Sequence, residues 1–294
     1  MSDRVEVLKT YKLYIGGKFP RTESGRYYIP ENGKSEKLGN ICLASRKDFR
    51  NAVVVARKAQ AAWAERSAYN IGQVIYRIAE NLEARKEEFI KLIQKEKLIS
   101  KTAAVAKVEE SIDQLVYFAG WSDKYQQLFS SVNPVASSHF NFSIQEASGV
   151  VAAICDSTTN FKDFVTAIAA VTCSGNSIIV LADEKAPLSA ISFAEILQHS
   201  DVPAGVVNIL TGKAAELESH FSSHMDVNTL LLVGDTFSIS SIEKIASVNL
   251  KRVRKWSNTF LKSQANSPYL LKDFLETKTT WHPIEQIGGA KAGY

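Results

Sequence analysis

Four short runs rich in Val, Ile and Leu set the tightest limit on how this chain can fold: SGVVAAIC at 148–155, NSIIVLA at 176–182, GVVNIL at 205–210 and NTLLLV at 228–233. None alternates apolar with polar residues as a half-wet strand does. Runs this short and this uniformly apolar are strands buried on both faces. The stretches between them, 160–173, 187–199 and 214–221, carry helical spacing, and Pro187 suits a first helical turn. Strands of this kind alternating with helices imply a Rossmann-like parallel sheet covered on both sides, an α/β fold. Ligands of such sheets sit at the carboxyl ends of the strands, which directs attention to Leu181-Ala182-Asp183-Glu184.

The region ahead of these runs is different in character. Residues 11–39 read as strands and turns, marked by Gly16-Gly17 and Ser24-Gly25. Ser45 with Asp48 three residues later predicts a capped helix that places Ala52, Val55, Ala56, Ala59 and Trp63 on one side. A second helix is expected to carry Ile71, Ile75, Ile78, Leu82, Phe89 and Ile93, and a third Val108, Ile112, Leu115 and Ala119. The charged residues of ARKEEFIKLIQKEK, 84–97, then form the solvated face of the second helix. Beyond Asn133-Pro134, residues 140–147 read as an extended strand; 268–275 read as a short helix and 277–284 as a terminal strand.

Several function classes are excluded by composition. The 35 basic residues are interleaved with 31 acidic ones for a net charge of +4, so no nucleic-acid partner is expected. The short patch Lys251, Arg252, Arg254 and Lys255 lacks interleaved aromatics. No apolar run approaches the roughly 18 residues a membrane span needs, and the polar start is unlike a signal peptide; the expected compartment is cytoplasmic. Cys42, Cys155 and Cys173 form no C-x-x-C pair and are expected to be buried thiols. His220 and His224 could share a helix face, but with no Glu between them and no third ligand no metal site is expected. The glycine-rich IGGAKAGY at 287–294 is expected to be a flexible tail rather than a phosphate loop.

The order and spacing of YKLYIGGKF, the helices of 46–95, GVVAAIC, GNSIIVLADEKAPLSA, VPAGVVNILTG, VNTLLLVGDT and NLKRV resemble the aldehyde dehydrogenase superfamily over residues 11–256. RKDFRNAVVVA, DKY and TKTTWHP bring the resemblance nearest to the second, non-catalytic unit of the two-unit class-sixteen aldehyde dehydrogenases. The resemblance implies a specific chemistry: a cysteine thiolate attacks the aldehyde, an amide side chain steadies the oxyanion, a glutamate activates water and NAD or NADP takes the hydride.

Laid on this chain, those requirements are not met. Ungapped alignment puts Thr158 where the family has its oxyanion asparagine, and a one-residue shift would bring Asn160 nearer. Trp256 occupies the glutamate position, and indole cannot take a proton from water. The nucleophilic cysteine follows that glutamate by several tens of residues, yet no cysteine occurs after Cys173 and only 38 residues follow Trp256. Of the cofactor motifs, the K-P-x-E stretch corresponds to Leu181-Ala182-Asp183-Glu184, which keeps Glu184 and loses the lysine to Leu181. The G-S-T-x-x-G stretch corresponds to Gly234 through Ile239; Gly234 and Thr236 match, while Asp235 is expected to cap its helix and repel phosphate.

The resulting expectation is an aldehyde dehydrogenase-like chain without catalytic Cys or Glu, with no NAD(P) or weak NAD(P) binding. It would act as a structural or regulatory partner in a homo-oligomer, or in a hetero-oligomer with an active relative. A fragment or isoform of an NAD(P)-dependent enzyme and a nucleotide-binding sensor are the alternatives. The expected organisation is a strand, turn and helical part over 1–139, an oligomerisation strand at 140–148 and a Rossmann-like coenzyme part over 149–248. A residual catalytic domain at 249–267 and a C-terminal helix and oligomerisation arm at 268–294 complete it.

Overall fold

In the computed structural model, which describes residues 9–264 and 266–284, the chain starts with three short strands: β1 (Thr10–Tyr11), β2 (Tyr27–Tyr28) and β3 (Asn40–Cys42), paired in the order β1-β3-β2. Ser45 then caps α1 (Arg46–Ala64) in the predicted capping box: its hydroxyl accepts from the Asp48 N–H, and the Asp48 carboxylate accepts from the Ser45 N–H at 2.8 Å. The expected second helix is two helices, α2 (Ala68–Ala84) and α3 (Lys86–Lys97), broken at Arg85, whose backbone (φ −107°, ψ 14°) lies outside the helical range. Apolar spacing runs across the break, which hides it from a periodicity argument. Next come α4 (Lys101–Trp121) and α5 (Tyr125–Phe129), then β4 (Ser131–Asn133), a strand the pattern does not announce, and β5 (His139–Ala147).

The four apolar runs are strands as predicted: β6 (Val150–Cys155), β7 (Ser177–Leu181), β8 (Val207–Leu210) and β9 (Thr229–Val233), separated by α6 (Phe161–Cys173), α7 (Pro187–Gln198) and α8 (Ala214–Ser223). After α9 (Ile239–Ala246), β10 (Arg252–Trp256) completes a five-stranded, wholly parallel sheet in the order β10-β9-β6-β7-β8. The NLKRV segment, 249–253, which the resemblance implies is a strand, therefore enters the sheet only at Arg252, and the strand runs on through Trp256. Pairing decides this: Arg252 to Trp256 lie against Thr229 to Val233 in register, and Lys251 instead turns its ammonium onto the Ser222 and His224 carbonyls.

Alternate residues of each strand go to opposite layers. Val151, Ala153, Cys155, Ile178, Val180 and Ala182 pack with α2, α3, α4, α6 and α7, whereas Val150, Ala152, Ile154, Ile179 and Leu181 pack with α1 and α8. Every residue of β6 and β7 is buried, which is why these strands read as unbroken apolar runs. The β8 edge is closed by the N-terminal segment, where Tyr14 and Ile209 exchange backbone hydrogen bonds at 2.8 Å.

After α10 (Asn258–Ser263), a 3-10 helix (Pro268–Phe274) leads into β11 (Leu275–Pro283), the predicted terminal strand. It pairs antiparallel with β5 along its whole length, from Leu275 opposite Ala147 to Pro283 opposite His139. With β4 on the other side, the three form a separate sheet in the order β11-β5-β4. The expected tail at 287–294 lies outside the described residues.

One buried amide joins these layers. Asn176, in the turn before β7, accepts from the Gly149 N–H at 2.7 Å and donates to the carbonyls of Ser174 and Phe274 at 3.2 and 2.9 Å. It thereby ties the starts of β6 and β7 to the C-terminal segment. Asn176→Ala leaves these groups unpaired in the interior, so a loss of about 3 kcal/mol is expected in urea unfolding. Lys47→Ala, which breaks only the exposed pair with Glu23, should leave the midpoint unchanged.

Candidate functional site

The chain runs β6, β7, β8 in one direction across the sheet and returns to place β9 beside β6. The carboxyl ends of β6 and β9 therefore flank the point where strand order reverses, the usual place for a ligand in such a sheet. Here Asp156, the residue after β6, fills that point. Its Oδ1 accepts from the Thr158 N–H and hydroxyl at 2.8 and 2.6 Å, and its Oδ2 accepts from the Thr236 N–H and hydroxyl, both at 2.7 Å. Burial alone would raise this carboxyl, but the hydrogen bonds from Thr158 and Thr236 outweigh it and hold it below its ordinary range. Gly234 makes the approach possible: at φ +120° it has no side chain, and a Cβ there would fall 1.9 Å from Asp156 Oδ1.

Asp235 does not cap α9. That helix starts at Ile239 behind Ser238, and the Asp235 carboxylate instead accepts from Asn258, at 3.0 Å from its N–H and 2.8 Å from its side-chain amide. The Asp235 N–H donates to the Thr158 hydroxyl at 3.0 Å, and Lys255 reaches the Asp235 and Phe237 carbonyls. Loops following β6, β9 and β10 are thus knitted together across the crevice.

At the end of β7, Leu181 is buried against the α1 and α8 layer and Glu184 is exposed. The buried Asp183 carboxylate pairs with Lys97, from the end of α3, at 2.6 Å. The charged stretch 84–97 is therefore not a purely solvated face. Glu96 is only 5 % exposed, and its Oε1 accepts from the Leu188 and Ser189 N–H groups at the start of α7. It falls seven and three residues after Phe89 and Ile93, on their buried stripe, so the spacing that marks the core also marks Glu96. Burial pushes its carboxyl from the ordinary 4.5 up to about 7 against the lowering effect of the Ser189 and Leu188 hydrogen bonds.

All three cysteines are buried, as expected. Burial pushes the Cys155 thiol far above its ordinary range, reinforced by the charges of Asp183, Asp156 and Asp163; Cys173 is raised by burial and by Asp123. His220 lies in α8, but His224 is past its end, edge-on to the Phe49 ring. Among the described residues no three His, Cys, Asp or Glu side chains gather as a metal would require, and no helix is long and apolar enough to cross a membrane.

Residues 21–255 match the profile of the aldehyde dehydrogenase family. The chain belongs to the aldehyde dehydrogenase family. It is 30% identical over 249 residues to aldehyde dehydrogenase, cytosolic 1, of Elephantulus edwardii, covering 82% of this chain and 49% of that protein. It is 28% identical over 249 residues to the cytosolic 10-formyltetrahydrofolate dehydrogenase of Mus musculus, over 83% of this chain and 28% of that one. In fold it superposes on an aldehyde dehydrogenase from Bacillus cereus, solved as an NAD+ complex, with a TM-score of 0.80 at 24% identity, covering 85% of this chain and 51% of that one. The chain thus spans about half or less of the length of these relatives.

Within this aldehyde dehydrogenase homologue, the positions marked by the resemblance are engaged in the protein's own bonds. Thr158 is committed to Asp156 and Asp235. Asn160 caps α6, accepting from the Asp163 N–H at 3.1 Å and donating to the Asp163 carboxylate. Trp256 is fully buried and donates its indole N–H to Asp273 at 2.8 Å. Thr236 and Gly234 meet Asp156 rather than open space. Asp156 itself, and Glu96 and Lys97, were not singled out by motif. Asp156 stands directly after an apolar strand in the sequence, the one local sign of its place.

Glu96 gives the fold a measurable pH dependence. Between the unfolded 4.5 and the folded value of about 7 the folded chain holds the extra proton, so its stability falls as pH rises through this window. Glu96→Gln should flatten that limb, by about 3 kcal/mol at most, in urea unfolding followed from about pH 5 to 8.

Proposed function

We propose that this aldehyde dehydrogenase homologue does no aldehyde chemistry of its own and acts as a cytoplasmic pairing partner, in a homo-oligomer or beside an active relative. The observation that carries this reading is the Asp156 carboxylate, which takes the Thr236 and Thr158 N–H groups at the crevice a dinucleotide would need. A pyrophosphate brought there would meet a fixed negative charge and donors already in use. The residues present do not fit NAD or NADP, and no hydride step is assigned to this chain.

The remaining chemistry points the same way. Trp256 has no basic atom to activate water, the Thr158 and Asn160 side chains are committed, and burial keeps the Cys155 and Cys173 thiols protonated. This pattern agrees with the resemblance to the second, non-catalytic unit of class-sixteen aldehyde dehydrogenases. For pairing, β11 offers nine residues on the outer edge of its sheet, most of them exposed, and Trp281, Phe140 and Val132 add exposed apolar surface at that end. An edge of this kind is open to strand addition.

A second reading is favoured by the coverage of the relatives: the chain spans about half of the Elephantulus protein and of the Bacillus one, as a fragment or isoform of an NAD(P)-dependent enzyme would. A nucleotide sensor is the third, and it requires the Asp156 network to open.

Calorimetric titration with NAD and NADP separates these readings. The unmodified chain should give no saturable heat, and Asp156→Ser combined with Asp235→Ser should strengthen binding by about ten-fold or more. Tight binding by the unmodified chain, with aldehyde-dependent NADH production, would return it to the enzymes. Light scattering should show an assembly alone or with an active aldehyde dehydrogenase that Trp281→Glu with Phe140→Glu weakens; a monomer in both settings removes the pairing role.

A further inference from the structure

We propose that the cavity between α3, α4, α6 and the start of α7 binds a small, uncharged, largely apolar molecule that carries one hydroxyl or N–H donor, received by Glu96. The cavity measures about 280 Å³. Open to solvent on one side, it has room for several water molecules, each of which takes roughly 30 Å³ in the liquid. It lies on the α6 and α7 side of the sheet, the side to which Cys155 and Ala182 point, away from Leu181 and the α8 layer. The cavity shares the loop 157–160, Thr158 included, with the Asp156 crevice, but its walls from α3, α4 and α7 are not part of that crevice, and the site does not depend on the pairing role.

Its walls select the ligand. Ile93, Ile99, Phe161, Phe164, Ala182 and Ala190 give an apolar slot wide enough for a ring or a branched chain. Both lysines on the lining are already matched: Lys97 with Asp183 at 2.6 Å, and Lys107 with Glu110 at 2.8 Å. A carboxylate ligand would face Asp183 and Glu96 with no free cation, and an ammonium ligand would have to give up its hydration in an apolar slot for the Glu96 carboxylate alone. An uncharged molecule avoids both penalties.

Glu96 supplies the directional contact. Its Oε1 is used by the α7 amides, while Oε2 is buried without a hydrogen-bond partner, an arrangement that disfavours the interior unless a donor meets it. The Asn160 side chain is committed to Asp163, and Cys155 is an inert buried thiol, so a donor on the ligand is received at Glu96 Oε2, beside the Ser189 hydroxyl that also lowers this carboxyl.

The test uses the full chain at about pH 8.5, above the range in which Glu96 holds its proton, and fluorine NMR with two probes of equal composition, para-fluorobenzyl alcohol, which has a donor, and para-fluoroanisole, which has none. The alcohol should bind saturably and about ten-fold more tightly than the ether. Ala103→Phe, which fills the partly open side of the cavity, should abolish both. Glu96→Gln should remove the alcohol's advantage and leave the ether unchanged, which also shows that the slot is still folded. Equal shifts in the unmodified and Ala103→Phe chains, or equal affinity for the two probes in the unmodified chain, would overturn the proposal.

Discussion

A parallel sheet leaves no face for water, and this one is buried on both. The strands β6 and β7 have no exposed residue, so two helical layers must be held against them from opposite sides, one of α1 and α8 and the other of α2, α3, α4, α6 and α7. The polar groups at the strand ends then become the sensitive points. They cannot reach bulk water freely and must find partners within the chain. Asn176 meets this need at the amino ends, and Asp156 with Thr158 and Thr236 at the carboxyl ends. The same constraint that builds the sheet thus decides what its functional end can hold.

In a nucleotide-binding sheet the amides at the reversal of strand order are left for a phosphate, and folding bears the cost of keeping them free. Here the chain supplies its own anion. Asp156 accepts four hydrogen bonds, and a phosphate could reach those donors only by displacing a carboxylate whose ionised form they stabilise. Asp235, although aligned with a small hydroxyl residue of the family motif, adds a second charge that Asn258 holds in place. The two aspartates tie the loops together where the family resemblance implies an anion site.

How much of this was legible in the sequence follows from how local each feature is. The four buried strands were readable because burial on both faces writes itself into consecutive residues, and the α1 cap because Ser45 and Asp48 are three residues apart. The break at Arg85 was not, since the apolar stripe continues through it. Glu96 was hidden by its charge: a run of lysines and glutamates reads as a wet face, yet its position after Phe89 and Ile93 lies on the core stripe. The Asp156–Thr236 contact joins residues 80 apart and exists only once β6 and β9 are neighbours. No spacing rule could announce it, although Leu181 and Trp256 stand where the resemblance implies a lysine and a glutamate.

Arg252 of β10 donates to the Leu275 carbonyl, Trp256 of β10 donates to Asp273, and Asn176 holds the Phe274 carbonyl, so the path into β11 is anchored to the parallel sheet at three points. Trp256, where the family resemblance places a proton acceptor, here serves as such an anchor, packed edge-on to Phe274 with ring centroids 5.4 Å apart. The position that the resemblance aligns with that proton acceptor helps to fix the direction of the strand that lies on the sheet's outer edge. An indole that buries against Phe274 and donates to Asp273 has no lone pair free to take a proton from water.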